Sequence, residues 1–223
     1  IAGAEVLWRM TDARVFWEFG KYATIAILGI ALLRIGKLRR ISLPILFFLV
    51  LIPSIWLTVG SFGMSDMTRE LISFNLSGPL VVSVCLLFFS QVDMKLDELK
   101  DWVWAAVYPI LGVLALAVQS TLTATEIYFG SESLVVTSGG YGPNQVSAVL
   151  SLGALLLVML SISDVEEGGR FWGLVFALAL LVQSFLTFSR GGIYNFGIAL
   201  GGAMLHLLGN PSVFIKSLFI LLI

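Results

Sequence analysis

The stretch 171–208 reads FWGLVFALALLVQSFLTFSRGGIYNFGIALGGAMLHLL. Two apolar runs, Phe171 to Phe188 and Ile193 to Leu208, flank a short turn, Ser189-Arg190-Gly191-Gly192. Each run approaches the roughly 20 residues with which an α-helix crosses the hydrocarbon core of a bilayer. A lone guanidinium between two membrane helices is costly. It is retained for chemistry or binding, or else it snorkels to headgroup phosphates. The coincidence of Ser, Arg and two Gly at one re-entry turn favours chemistry or binding.

The rest of the chain repeats the pattern. Of its 223 residues 58% are hydrophobic and 12% charged, and the mean hydropathy is +1.00. A soluble domain carries about twice that charged share. The apolar runs are continuous rather than alternating, which excludes a transmembrane β-barrel. The expected fold is an all-α polytopic transmembrane helical bundle, a single integral membrane domain over 1–223 with about eight spans. They fall at 22–33, 41–59, 71–90, 102–118, 145–162, 171–186 and 193–208, with a truncated one from Val213. Pro44 and Pro53 are expected to bend the second. The segment 5–21, with Trp8, Phe16, Trp17, Phe19 and both signs of charge, reads as an interfacial helix or connector. Ile1 at the start and the apolar run 217–223 at the end suggest a piece of a longer protein.

Lys and Arg in the short loops set the orientation. Arg34, Lys37, Arg39, Arg40, Lys95, Lys100, Arg170 and Lys216 fall in one set of loops, and Arg69 and Arg190 in the other. The first set is therefore expected in the cytoplasm and the second outside. Arg9, Arg14 and Lys21 run against the rule, and an upstream span would account for them. The outer face then carries the Ser65–Glu70 turn, the loop 121–144 and the Ser189–Gly192 turn. The loop 121–144 holds no Lys or Arg. It reads either as a flexible polar surface able to bind sugars or as a solvated connector.

Helices entering from outside point their N-termini outward, and backbone N–H groups there attract anions. Span five opens at Pro143-Asn144, with Asn144 a candidate N-cap. Span seven opens after Arg190-Gly191-Gly192, and span three after Asp66 and Arg69. If these starts converge, Arg190 and Arg69 with Asn144, Ser189, Gly191 and Gly192 form a pocket suited to phosphate or pyrophosphate. Asn75 is expected to face protein or a watery cavity, as interhelix glue or as a contact. Gly197 and Gly201 form a small-xxx-small pair for tight packing. Gln183 and Ser184 either support Arg190 or simply pack, and His206 reads as structural. No Asp or Glu falls inside an expected span, which disfavours a proton-coupled carrier. Cys85 is the single cysteine. No metal-ligand spacing, Walker loop, nucleophile elbow or dinucleotide fingerprint occurs, so neither a metal nor a cofactor is expected. The net charge of -1 gives no indication of nucleic acid.

Leu186-Thr187-Phe188-Ser189-Arg190-Gly191-Gly192, followed by an apolar span, resembles the hallmark of the O-antigen ligase and O-antigen polymerase superfamily. Gly142-Pro143-Asn144-Gln145 and Asn75-Leu76-Ser77-Gly78-Pro79 also look like that group, so the resemblance covers roughly 71–223. It implies a metal-independent glycosyltransferase of the bacterial inner membrane. Such an enzyme moves a glycan from undecaprenyl pyrophosphate to an acceptor glycolipid on the periplasmic face. Arg190 would then contact the pyrophosphate and stabilise the departing charge. The family's large periplasmic loop, with its general base, would follow the present chain. A polytopic transporter or flippase of lipid-linked or small solutes is the alternative, and a non-enzymatic envelope scaffold the third reading.

Overall fold

The computed structural model describes residues 2–16, 18–35, 42–93, 95–128, 132–162 and 167–207. The expected eighth span from Val213 lies outside them, as do Trp17, Lys37, Arg39, Arg40, Lys216 and the His206 side chain. Nine α-helices and one short 3₁₀ turn account for most of the described residues, with no strand among them. In order they are α1 (Ala2–Met10), α2 (Phe19–Ile35), α3 (Ser42–Leu51), α4 (Pro53–Phe62), α5 (Asp66–Phe89) and α6 (Leu96–Thr123). The 3₁₀ turn Val136–Ser138 follows, then α7 (Pro143–Ile162), α8 (Glu167–Leu186) and α9 (Arg190–Leu207). Among the described residues five segments are long and apolar enough to cross a membrane: α3 with α4 (Leu43–Phe62), α5, α6, α7 and α8. The chain is thus an α-helical membrane protein. The second expected span breaks at Ile52, before Pro53, while Pro44 sits harmlessly in the first turn of α3.

The helices pack as two compact units, 1–14 with 96–223, and 15–95. In the first, α7 lies at the centre and contacts α6, α8, α9 and α1. Its buried residues Val146, Leu150, Ala154, Leu157 and Val158 share one core with Val107, Ile110 and Val113 of α6 and Ala177 and Leu180 of α8. A helix buried on several sides must be small where neighbours cross. At Gly153 a Cβ would stand 2.6 Å from Ile110 Cγ2. The Arg170 guanidinium donates to the Ser161 carbonyl (3.1 Å), placing positive charge at the C-terminal end of α7.

Here α1 departs from expectation. The stretch expected to be an interfacial helix or connector begins with a helix that packs into this unit: Val6 belongs to the core, and a Cβ on Gly3 would meet Ile110 at 2.7 Å. The small-xxx-small pair Gly197 and Gly201 makes no close contact among the described residues: both are exposed, with none of those residues within 4 Å of a Cβ. Close packing falls instead on Gly3, Gly153, Gly173 and Gly192, which spacing alone does not distinguish from the others.

In the second unit α2 and α3 pack on α5. Asn75 does not bridge helices. It is exposed, and its amide donates to the Leu71 carbonyl of its own helix (2.8 Å). Ser73 and Ser77, about two and three turns into α5, provide the interhelix contact. Their hydroxyls donate to Glu18 Oε2 (3.0 Å) and Oε1 (2.9 Å). Lys21 Nζ completes the cluster, at 3.0 Å from Glu18 Oε1 and 2.9 Å from Ser77 Oγ, and Tyr22 pairs with Ser73. An acid from outside the expected spans thus packs against the first half of a membrane helix. Glu18 precedes α2 in sequence, and only folding brings it there.

Burial pushes the Glu18 carboxyl up, but hydrogen bonds from Lys21, Ser77 and Ser73, with the Lys21 charge, hold it below its ordinary value. Its lowered folded pKa means that the stabilisation is complete at neutral pH. It is lost as pH falls through that folded pKa. Glu18→Gln is therefore expected to flatten the acid limb of a melting-temperature-against-pH profile. An acid limb as steep as that of the parent protein would contradict this.

Candidate functional site

The turn that carries Arg190 is built from the end of α8. Leu186 closes the helix, Thr187 and Phe188 reverse the chain, and α9 starts at Arg190. Phe188 adopts a left-handed conformation (φ 54°). That conformation is uncommon for a bulky residue and marks a backbone held in place by its surroundings. Thr187 Oγ1 donates to the Ser184 carbonyl (2.7 Å) and accepts from the Ser189 N–H (3.2 Å). Ser189, 2% exposed, is the last residue before α9.

A second helix start lies beside it. The Gly142 carbonyl accepts from the Gln145 and Val146 amides, with Pro143 at the first helical position of α7. Asn144 is therefore not the N-cap the sequence suggested. It sits in the first turn, exposed, and its Oδ1 accepts from Ser189 Oγ at 2.8 Å. Ser147 Oγ donates to the Ser189 carbonyl (3.2 Å) and pairs with Ser184 Oγ (2.8 Å), which also pairs with Ser151 Oγ (2.9 Å). These contacts form one hydrogen-bonded cluster of Ser151, Ser184 and Ser147 that ends on the Ser189 carbonyl, every member buried, and Ser184 Oγ also donates to the Ser147 carbonyl (3.1 Å). The Ser189 carbonyl belongs to the peptide group preceding Arg190. The two backbones touch at Gly192, where a Cβ would stand 2.4 Å from the Ser147 carbonyl oxygen.

The second half of the loop 121–144 closes the back of the turn. Leu134 N–H donates to the Thr187 carbonyl (2.8 Å), and Thr137 Oγ1 to the Leu186 carbonyl (2.5 Å). Gln183, 3% exposed, donates to Thr121 Oγ1 (2.8 Å) and to the Thr137 carbonyl (2.7 Å). The loop is thus not a free polar surface throughout, since Thr137 and Ser138 are fully buried. Gly139 and Gly140, both at positive φ, turn it into α7. Gln183→Leu is expected to cost about 1–3 kcal/mol by leaving the Thr137 carbonyl unpaired, read as a lowered melting temperature in detergent. An unchanged melting temperature would mean that the bridge is dispensable.

Arg190 itself is exposed, and among the described residues it makes no hydrogen bond or ion pair. Gly191 beside it is open, with nothing within 4 Å of a Cβ. Tyr194, one turn on, is 63% exposed. The structure therefore joins Arg190, Ser189, Gly192 and Asn144 at the paired starts of α7 and α9. Ser189 serves there through Asn144 and its own carbonyl, because its side chain is buried. Arg69 belongs to the other unit. It pairs with Asp66 at 3.4 Å, both side chains largely exposed (80% and 96%), which makes a weak surface contact. Arg69 lines one hollow with Asp66, Glu70 and Ser73, and an adjoining hollow is lined by Glu18, Met67, Glu70, Leu71, Ser73 and Phe74. The Arg69 site is more acidic than its sequence neighbours implied. Ser184 was one of the residues expected to support Arg190 or simply pack, whereas its partners Ser147 and Ser151 were not singled out. The signal is the four-residue spacing of Ser147 and Ser151 in an otherwise apolar helix. Among the described residues no group of His, Cys, Asp and Glu is arranged to hold a metal ion. Comparison with protein-family models, with curated proteins and with solved structures returned no match.

Proposed function

We propose that this chain is the membrane-embedded part of a glycosyltransferase that moves a glycan from undecaprenyl pyrophosphate to an acceptor glycolipid. In this reading it is an O-antigen or exopolysaccharide polymerase or ligase, acting on the outward face of a bacterial inner membrane. Helices α2 and α9 then also cross the bilayer, in a bundle of about eight spans.

The observation that carries the reading is an unpaired guanidinium at the meeting of two helix N-termini. Each N-terminus acts as roughly half a positive charge. Arg190 adds a full one at the first position of α9, against the helix dipole and with no carboxylate paired to it among the described residues. Such an arrangement is disfavoured in isolation and favoured when an anion occupies it. A diphosphate suits it twice over, since a guanidinium binds phosphate oxygens bidentately. Positive charge held in advance also stabilises the negative charge that develops on a departing pyrophosphate. The Ser151–Ser184–Ser147 cluster and the Gln183 bridge hold the turn rigid, which such preorganisation requires. Purified protein supplied with a polyprenyl-diphosphate glycan and an acceptor glycolipid tests the reading. Glycosidic product that depends on Arg190 supports it, and donor left intact at every enzyme concentration sinks it.

One observation favours the transport alternative. Glu18 packs against Ser73 and Ser77 of α5, so the absence of Asp and Glu from the expected spans weighs less against a carrier. Proteoliposomes loaded with the lipid-linked glycan separate the two readings: a carrier moves it across the bilayer with no bond made or broken.

A further inference from the structure

We propose that the hollow on the first two turns of α5 seats the primary-ammonium head group of an aminophospholipid. The hollow measures about 570 Å³ and adjoins a second of about 580 Å³, the two sharing Glu70 and Ser73. Its polar wall is acidic. Glu18 is 8% exposed and ionised at neutral pH, and Lys21 reaches its Oε1 only, while Oε2 accepts from Ser73. Glu70 has no hydrogen bond or ion pair among the described residues. A carboxylate so placed attracts a cation. A primary ammonium brings three N–H donors, enough for Glu70, Ser73 Oγ and Glu18 together, whereas a quaternary ammonium brings none.

The remaining wall and the rim select a lipid rather than a soluble amine. Met67 (70% exposed), Leu71 and Phe74 (60% exposed) line the same hollow as Glu70. Apolar side chains this exposed, at the start of a helix long and apolar enough to span a bilayer, suit the glycerol and upper acyl region. Arg69 lines the adjoining hollow, loosely held by Asp66 at 3.4 Å, and is placed for the lipid phosphate. Acid within and guanidinium at the rim complement a zwitterion whose ammonium enters first.

Native mass spectrometry of the detergent-purified chain tests this with equimolar phosphatidylethanolamine, phosphatidylcholine and phosphatidylglycerol of identical acyl chains. Phosphatidylethanolamine is expected to be retained about tenfold over the other two, the difference one charge-assisted contact makes. Glu70→Gln is expected to abolish that preference, and Asp93→Asn, the same charge change at an exposed site on the far side of α5 in sequence, to preserve it. Equal retention of the three lipids, or identical behaviour of the two variants, overturns the proposal. So does free ethanolamine binding that phosphatidylethanolamine fails to displace.

Discussion

Arg190→Ala is expected to lower glycan transfer by about 10²–10³-fold, the usual cost of removing one preorganised group that stabilises developing negative charge. The loss should fall mainly on turnover. A pyrophosphate leaving group is more negative at its reacting oxygen in the transition state than in the bound donor, so a guanidinium there contributes most at the barrier. Arg190→Lys should fare little better, because an ammonium keeps the charge but lacks the planar pair of donors that fits a diphosphate. Neither variant should disturb insertion or melting, since Arg190 is exposed and unpaired among the described residues. Steady-state transfer rates measured beside melting curves check both halves of this expectation. Two active, normally folded variants would remove Arg190 from the reaction.

Gly192→Ala is expected to cause the largest structural loss of any single-methyl change in the turn. The new Cβ would stand 2.4 Å from both the carbonyl oxygen and the hydroxyl of Ser147, and 2.5 Å from its carbonyl carbon. The hydroxyl could rotate away, but the backbone of a central buried helix cannot. The two helices would have to separate, which breaks the Ser147–Ser189 contact (3.2 Å) and loosens the Ser189–Asn144 bond (2.8 Å). Overpacking of this kind costs about 1–3 kcal/mol, and more where backbone must move. Gly191→Ala is the matched control: the neighbouring position is exposed and open, so it should melt like the parent protein. Equal melting temperatures for the two variants would mean that α7 and α9 do not meet as closely as described.

The adjacent glycines illustrate what a linear reading can and cannot recover. Ser189-Arg190-Gly191-Gly192 stands out in sequence because it interrupts two apolar runs, but the break falls slightly earlier, at Thr187–Ser189, and Arg190, Gly191 and Gly192 already belong to α9. Nothing in the string says which glycine is needed, because that depends on the path of a helix some 40 residues earlier. Gly197 and Gly201 make the converse point. Their spacing matches a packing motif, yet no described residue comes close to them, while unpatterned Gly153 admits Ile110. Asn75 was the more conspicuous polar residue of α5, but it bonds to its own helix, and Ser73 and Ser77 reach Glu18 instead.

Sequence by itself determined the solvent of this protein and the rough positions of its helices. Continuous apolar length is a local property, and in a bilayer a helix satisfies its own backbone hydrogen bonds without help from elsewhere. Tertiary structure alone decided which helix starts share a neighbourhood. It set α7 beside α9, anchored half of a polar loop behind them, gave Arg69 to a separate acidic hollow, and carried Glu18 onto α5. The contacts that join these helices, loop and Glu18 link residues 33 to 62 positions apart. Pairings of that kind are governed by shape and by partner availability for buried hydroxyls and charges, and hydropathy along the chain carries no record of either.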